Sequence, residues 1–239
     1  MHDHADYFAR SVGLSWRKIP IALIDARLEC AILNPMEHLD VPAVLEAIAR
    51  LRVQLNGPLT EPDVASFEQK HGISLPSDYR EFITRVGNGG AGPFYGVFPL
   101  GSMDDNLDMR EWHENDGFVG TLSRPFAFQD EWNDVSGMPD YILLKQDEDA
   151  YEKQIEKFSS TYWSSELMHG AIPICHEGCA LRIWLIVSGE QAGKLWEDRR
   201  SEYKGLRPVL LINGSRATFS EWYKEWLDSG SATAGQPDS

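Results

Sequence analysis

Ile172-Pro173-Ile174-Cys175, Leu181-Arg182-Ile183-Trp184-Leu185-Ile186-Val187 and Lys194-Leu195-Trp196 are three short runs rich in β-branched and aromatic residues. Such runs are strands rather than helices, because each is too short and too continuously apolar to present one helical face. The last two are joined by the Gly189–Gly193 turn, and so short a connection allows only antiparallel pairing. A strand meander therefore occupies the C-terminal half of the chain.

The residues around it are helical. Thr218 and Glu221 form a capping box, and Phe219, Trp222, Tyr223, Trp226 and Leu227 make one apolar stripe behind it. Upstream, Asp40 caps a segment with Pro42 in its first turn. There Val41, Val44, Leu45, Ile48, Leu51 and Leu55 recur at helical spacing until Asn56-Gly57-Pro58. Thr60 caps a second helix, with Glu61 and Asp63 in its first turn and Val64 and Phe67 on its apolar face, ending at His71-Gly72. Pro76 opens a third, with Tyr79, Phe82, Ile83 and Val86 at i, i+3, i+4, i+7. The order of helices, strand meander and closing helix predicts an α+β fold: N-terminal helices packed on an antiparallel sheet, closed by a C-terminal helix.

Between these parts the pattern is weaker. Gly87 to Pro93 is turn-rich and leads into an expected strand at Phe94–Phe98, and Tyr141–Leu144 reads as another strand. Tyr151, Ile155 and Phe158 indicate a helix after the acidic run Asp147–Asp149, while 101–140 reads as irregular. Ile19–Ala31 fits a short strand or a helix equally. The expected divisions are a partly helical extension at 1–56, a domain at 57–228, and a small, polar, disordered tail at 229–239.

Composition limits function. The chain has 239 residues, 42% hydrophobic, with 8 Trp, 8 Tyr and 10 Phe, enough for one large folded domain. Its 37 acidic against 22 basic residues give a net charge of −15. Such a charge repels phosphate backbones and favours a basic protein or a cation as partner. The densest basic stretch, Lys194–Lys204, is interrupted by Glu197, Asp198 and Glu202. Met1 to Tyr7 lacks a positive n-region, and no apolar stretch approaches a membrane span, so the expected location is the cytosol. Three cysteines, Cys30, Cys175 and Cys179, form no disulfide framework and fit a reducing compartment.

Several motifs invite sharper readings. The glycines of 87–92 join a helix to a strand, the reverse of the order a phosphate loop needs, so they read as a turn. Cys175-His176-Glu177-Gly178-Cys179 lacks the second ligand pair of a structural zinc site, and alternation on a strand points His176 away from Cys175. No metal, cofactor or catalytic residue is expected. The feature that fits recognition is the acidic passage Asp104, Asp105, Asp108, Glu111, Glu114 and Asp116, with Trp112 within it. Clustered carboxylates steer a basic partner, and a tryptophan among them suits a desolvated anchor. A plain solvated face, or a hydrolase using carboxylates of 101–134, stays open at this level.

Two passages together carry a resemblance. The first is Leu59-Thr60-Glu61 through Phe67-Glu68 to Leu75-Pro76-Ser77-Asp78-Tyr79 and Phe82, followed by Asn88-Gly89-Gly90 and Tyr95-Gly96-Val97-Phe98-Pro99-Leu100. The second is Gly170-Ala171-Ile172-Pro173-Ile174, Gly178-Cys179, the run to Val187, Ser188-Gly189, Gly193, Trp196 and Asp198, then Phe219, Trp222 and Trp226. Over about 57–228 the chain resembles the SUKH superfamily, which includes fungal cell-wall-assembly regulators of the Smi/Knr type and bacterial immunity proteins. The resemblance implies helices on an antiparallel sheet, no established enzymatic activity, and a protein partner, among bacterial relatives a toxin domain. A regulatory scaffold for an endogenous partner is the alternative it implies.

Overall fold

The computed structural model describes residues 38–105 and 108–230, which fall within one compact unit. Helices α1 (Val41–Leu51), α2 (Glu61–His71) and α3 (Ser77–Arg85) come first, then a hairpin of β1 (Ser102–Asp105) and β2 (Asp108–Glu111). Helices α4 (Tyr141–Gln146) and α5 (Glu148–Tyr162) follow, then strands β3 (Ala171–Gly178), β4 (Leu181–Ile186), β5 (Leu195–Asp198) and β6 (Leu206–Pro208), and closing helix α6 (Phe219–Ser229). The expected α+β architecture is present. Residues 1–37 and 231–239, with the expectation for Ile19–Ala31 and all of the expected 229–239 tail beyond Gly230, lie outside the described residues, and Ser229 belongs to helix α6.

Strands β3 to β6 form an antiparallel meander in sequence order. Its register sets Trp184 opposite Trp196 and Trp196 opposite Pro208, so large residues are paired across neighbouring strands. Both outer edges are closed by single bridges. Val97 pairs with Cys175 on β3, and Trp132 pairs with Leu206 on β6. These bridges take up part of each edge strand's free ladder groups.

Helices α3 and α6 form the core of the helical layer. Phe82 lies 4.9 Å from Phe219 and 4.8 Å from Tyr223, ring to ring, and Tyr79 lies 5.0 Å from Phe219. All five apolar residues of the α6 stripe are buried, each worth about 1.5–3 kcal/mol when fully removed from water. The capping box at Thr218 and Glu221 forms as read, and Thr60 is capped reciprocally by Asp63. Helix α1 packs on α6 and α3 through Val41, Val44 and Ala47, and Glu81 on α3 accepts the Leu39 N–H at 3.0 Å.

Four local expectations are corrected. Helix α1 stops at Leu51, where Arg52 turns left-handed, and Leu55 instead bridges to Gly90. Phe94–Phe98 is not a strand, because Phe94 has φ +53° and only Val97 enters the ladder. Tyr141–Leu144 is helical, nucleated by the Asp140 carboxylate accepting from the Ile142 N–H at 2.8 Å. The stretch 101–140 is not wholly irregular, since it holds the β1–β2 hairpin. The glycine loop is a turn: Gly90, at φ +113°, sits between Leu55 and Val97, where a Cβ would lie 2.7 Å from the Leu55 Cα.

Candidate partner-binding site

The acidic passage is built on the β1–β2 hairpin and the loop leaving it, which lies against β3, β4 and α2. Asp104 is only 8% exposed, with His176 Nδ1 2.7 Å from one carboxylate oxygen and Arg182 Nε 3.3 Å from the other. Arg182 also donates to the Asp104 carbonyl at 3.3 Å, and the Tyr95 ring stacks on His176 at 5.4 Å. This charge is therefore a fastener between the hairpin and the main sheet.

Trp112 is 4% exposed and packs edge-on to Phe67 at 6.0 Å and beside His71 at 5.7 Å. Its ring belongs to the core under α2, so it does not serve as a surface anchor. Glu114 accepts the Leu122 N–H at 2.7 Å and lies 3.3 Å from His71 Nδ1. Asp116 accepts from the N–H groups of His113, Phe118 and Val119 and from Arg110 at 3.0 Å. Burial pushes the Asp116 carboxyl upward, but these donors outweigh it and hold it below the usual carboxylate range. Glu111 is exposed to solvent and its side chain makes no hydrogen bond or ion pair among the described residues, while the side chains of Glu114 and Asp116 are only partly exposed. Asp105 stands opposite Asp108 across the ladder, and the side chains of both lie outside the described residues.

A second charged cluster covers the far end of the sheet. Glu197 on β5 accepts from Arg199 Nη1 at 2.6 Å and Arg207 Nε at 2.5 Å. Glu177 on β3 shares a hydrogen bond with Glu197, and burial together with the neighbouring carboxylate raises its own carboxyl to about 7. Two carboxyls in direct hydrogen-bond contact stand closer together than the acid pair of a glycosidase.

The Cys175–Cys179 stretch is structural in geometry. The Cys175 thiol is buried, points at the Pro93 carbonyl 3.4 Å away, and is pushed well up in pKa by burial, the opposite of an activated nucleophile. His176 does point away from it, into the contact with Asp104. Among the described residues no group of three or more His, Cys, Asp and Glu side chains could hold a metal ion, and no helix is long and apolar enough to cross a membrane.

Sequence reading missed how far the carboxylates of 104–116 are committed to internal partners, because those partners come from distant segments: Arg182 and His176 for Asp104, Leu122 for Glu114. The number of acids gave no signal of this. Exposed apolar side chains and the carboxylates of Glu148, Glu152 and Glu156, unpaired among the described residues, also occur together within 130–156, a stretch whose first part, 130–140, reads as irregular in sequence.

The search of curated proteins and the search of solved structures gave no match. The family model described as SMI1 / KNR4 family (SUKH-1) matches residues 58–204, from the residue before Leu59-Thr60 through β5 and the turn that follows it. With α2, α3, both hairpin strands and most of the main sheet inside that match, the chain belongs to the SMI1 / KNR4 family (SUKH-1).

Proposed function

We propose that the protein is an immunity-type binding domain of the cytosol, which grips a toxin domain one to one and blocks it without turnover chemistry. Membership of the SUKH family carries this reading. The net charge of −15 supports a basic partner, drawn in by the field of an acidic surface. The fixed geometry of the buried charges supports a scaffold rather than a reactive site: Asp104, Glu197 and Asp198 are each closed on arginine. Within the 104–116 passage, Glu111 makes contact with the partner, Asp105 and Asp108 add to the field, and Asp104, Trp112, Glu114 and Asp116 set the shape of the loop.

The test is affinity capture from the source cells at low and high salt, followed by co-expression of any basic toxin retained and assay of its activity. A one-to-one complex in which that activity is suppressed is the expected result. Saturable turnover of nucleic acid, nucleotide or peptide, lost in a folded variant such as Asp108→Asn, would overturn the reading. The breadth of the family supports a second reading, a scaffold for an endogenous regulatory partner, for which housekeeping assembly proteins would be retained and no toxin.

A further inference from the structure

Helix α4 contributes nothing to the core. Among the described residues none of its side chains is buried, and Tyr141 and Ile142 are 63% and 59% exposed. Val135 and Met138, in the turn just before it, are exposed as well, so four large apolar side chains within eight residues of chain face water. Scattered apolar residues need no explanation, but four large exposed ones within eight residues of chain do.

The surroundings are one-signed. From Asp130 to Tyr162 there are nine acidic residues against three lysines. Glu148, Glu152 and Glu156 stand in one row on α5 at i, i+4 and i+8, an arrangement that costs an isolated helix a few tenths of a kcal/mol per pair. The patch is also held firmly. Phe158 and Tyr162 stack at 4.9 Å on the inner side of α5, Tyr162 Oη contacts Asn133 Oδ1 at 2.7 Å, and Gln154 donates to the Gly137 carbonyl at 3.4 Å. A rigid mount lowers the entropy lost on binding.

We infer that the exposed segment Val135–Ile142, together with the carboxylates of the α5 helix packed against α4, is a docking surface for a basic protein whose contact region has an apolar centre and a lysine- and arginine-rich surround. Charge selects this occupant. A second copy would bring like charge against like charge, and nucleic acid or an anionic membrane would be repelled for the same reason. The Tyr141 ring already carries a cation on its face, the Lys145 ammonium at 4.8 Å, and an arginine from the partner suits the same ring chemistry. This rests on the protein-binding reading above and adds α4–α5 to the surface that meets the partner.

The probe is a synthetic peptide of alternating arginine and leucine, with a lysine–serine peptide of equal charge as control, titrated against the full chain. Amide chemical shifts should move at 130–156, and the control should bind about tenfold more weakly because it lacks the apolar part. Tyr141→Ser with Ile142→Ser should weaken the arginine–leucine peptide by about tenfold, at unchanged Tm because both side chains are exposed. Glu148→Lys with Glu152→Lys should weaken it and flatten its salt dependence, whereas Leu210→Ser with Ile212→Ser, at exposed apolar residues outside 130–156, should leave it unchanged. Equal binding of the two peptides, shifts centred on Ile212, or a native dimer dissociated by the Tyr141/Ile142 variant would each overturn the inference. If a toxin is found and the Tyr141/Ile142 variant still neutralises it fully, this surface is wrong and the immunity reading stands. If the peptide maps here but no toxin is found, the surface stands and the immunity reading falls.

Discussion

The buried carboxylate of Asp78, in the first turn of α3, accepts the backbone N–H of Ser220, in the first turn of α6, at 2.9 Å. Its other oxygen accepts from the Tyr79 N–H at 2.8 Å. Helix N-termini leave orphan donors, and here one side chain serves donors of two helices whose contact is the aromatic core. Asp78→Ala strands both N–H groups in a buried site and should cost about 2–4 kcal/mol. Asp78→Asn, which keeps one acceptor oxygen, should cost less. Urea denaturation checks this, and the expected pattern is a lowered midpoint at unchanged m-value.

Glu177 makes stability depend on pH in an unusual direction. In the unfolded chain its carboxyl loses the proton near 4.5, but in the folded chain burial and Glu197 keep the proton on up to about 7. The folded state thus binds more protons between these values, so this group's contribution falls as pH rises through that window and levels off above about 7. Glu177→Gln keeps a donor for Glu197 without the charge. It should be more stable than the parent at pH 8, and the difference should close as pH falls toward 4.5. Thermal melts of both proteins across this range give the answer. A difference that does not change with pH would mean that Glu177 is charged throughout.

What the sequence revealed followed from signals that are local. The N-cap at Thr60, the capping box at Thr218 and the stripe Phe219, Trp222, Tyr223, Trp226, Leu227 are complete within a few residues, and all form as read. The sheet's central runs were legible because Ile183 to Ile186 is buried on both faces. Tyr141–Leu144 misled because four β-prone residues are too few to show a period, and the deciding contact is one cap from Asp140. The hairpin Ser102–Asp105 and Asp108–Glu111 carries almost no apolar alternation, and is held by the Asp104 contact to Arg182, 78 residues away. Trp112 was misjudged for the same reason: its neighbours in sequence are charged, but its neighbours in space are Phe67 and His71.

Gly205 is required by its backbone, at φ +70°, and by its neighbour, because a Cβ there would overlap the Trp132 carbonyl oxygen. That carbonyl accepts the Leu206 N–H at 2.8 Å in the bridge that closes the β6 edge. Gly205→Ala should therefore cost about 3 kcal/mol or more, the left-handed penalty plus the lost bridge. Gly193 is the control: its φ is +90°, but nothing lies within 4 Å of an added Cβ. Gly193→Ala should cost only the backbone penalty, about 1–2 kcal/mol. Equal losses in the two variants would show that the Trp132 contact has no weight.

Arg200 fixes the acidic face to the sheet. It is 4% exposed, donates to both oxygens of Asp198 at 2.9 and 2.7 Å, and reaches the Tyr162 carbonyl at 3.2 Å, at the C-terminal end of α5. Its guanidinium also lies 5.6 Å from the centre of the Trp163 ring. Arg200→Ala leaves Asp198 buried without its partner and should cost about 3–5 kcal/mol. Arg200→Lys keeps the charge but cannot form the two-point contact and the carbonyl contact together, so it should recover only part of the loss. Hydrogen exchange separates a local from a global effect. Amides of the last turn of α5 should lose protection in Arg200→Lys before those of β4 do, and binding of the arginine–leucine peptide at α4–α5 should weaken in step. If β4 and α5 lost protection together, Arg200 would be a general core residue and not the tether of that face.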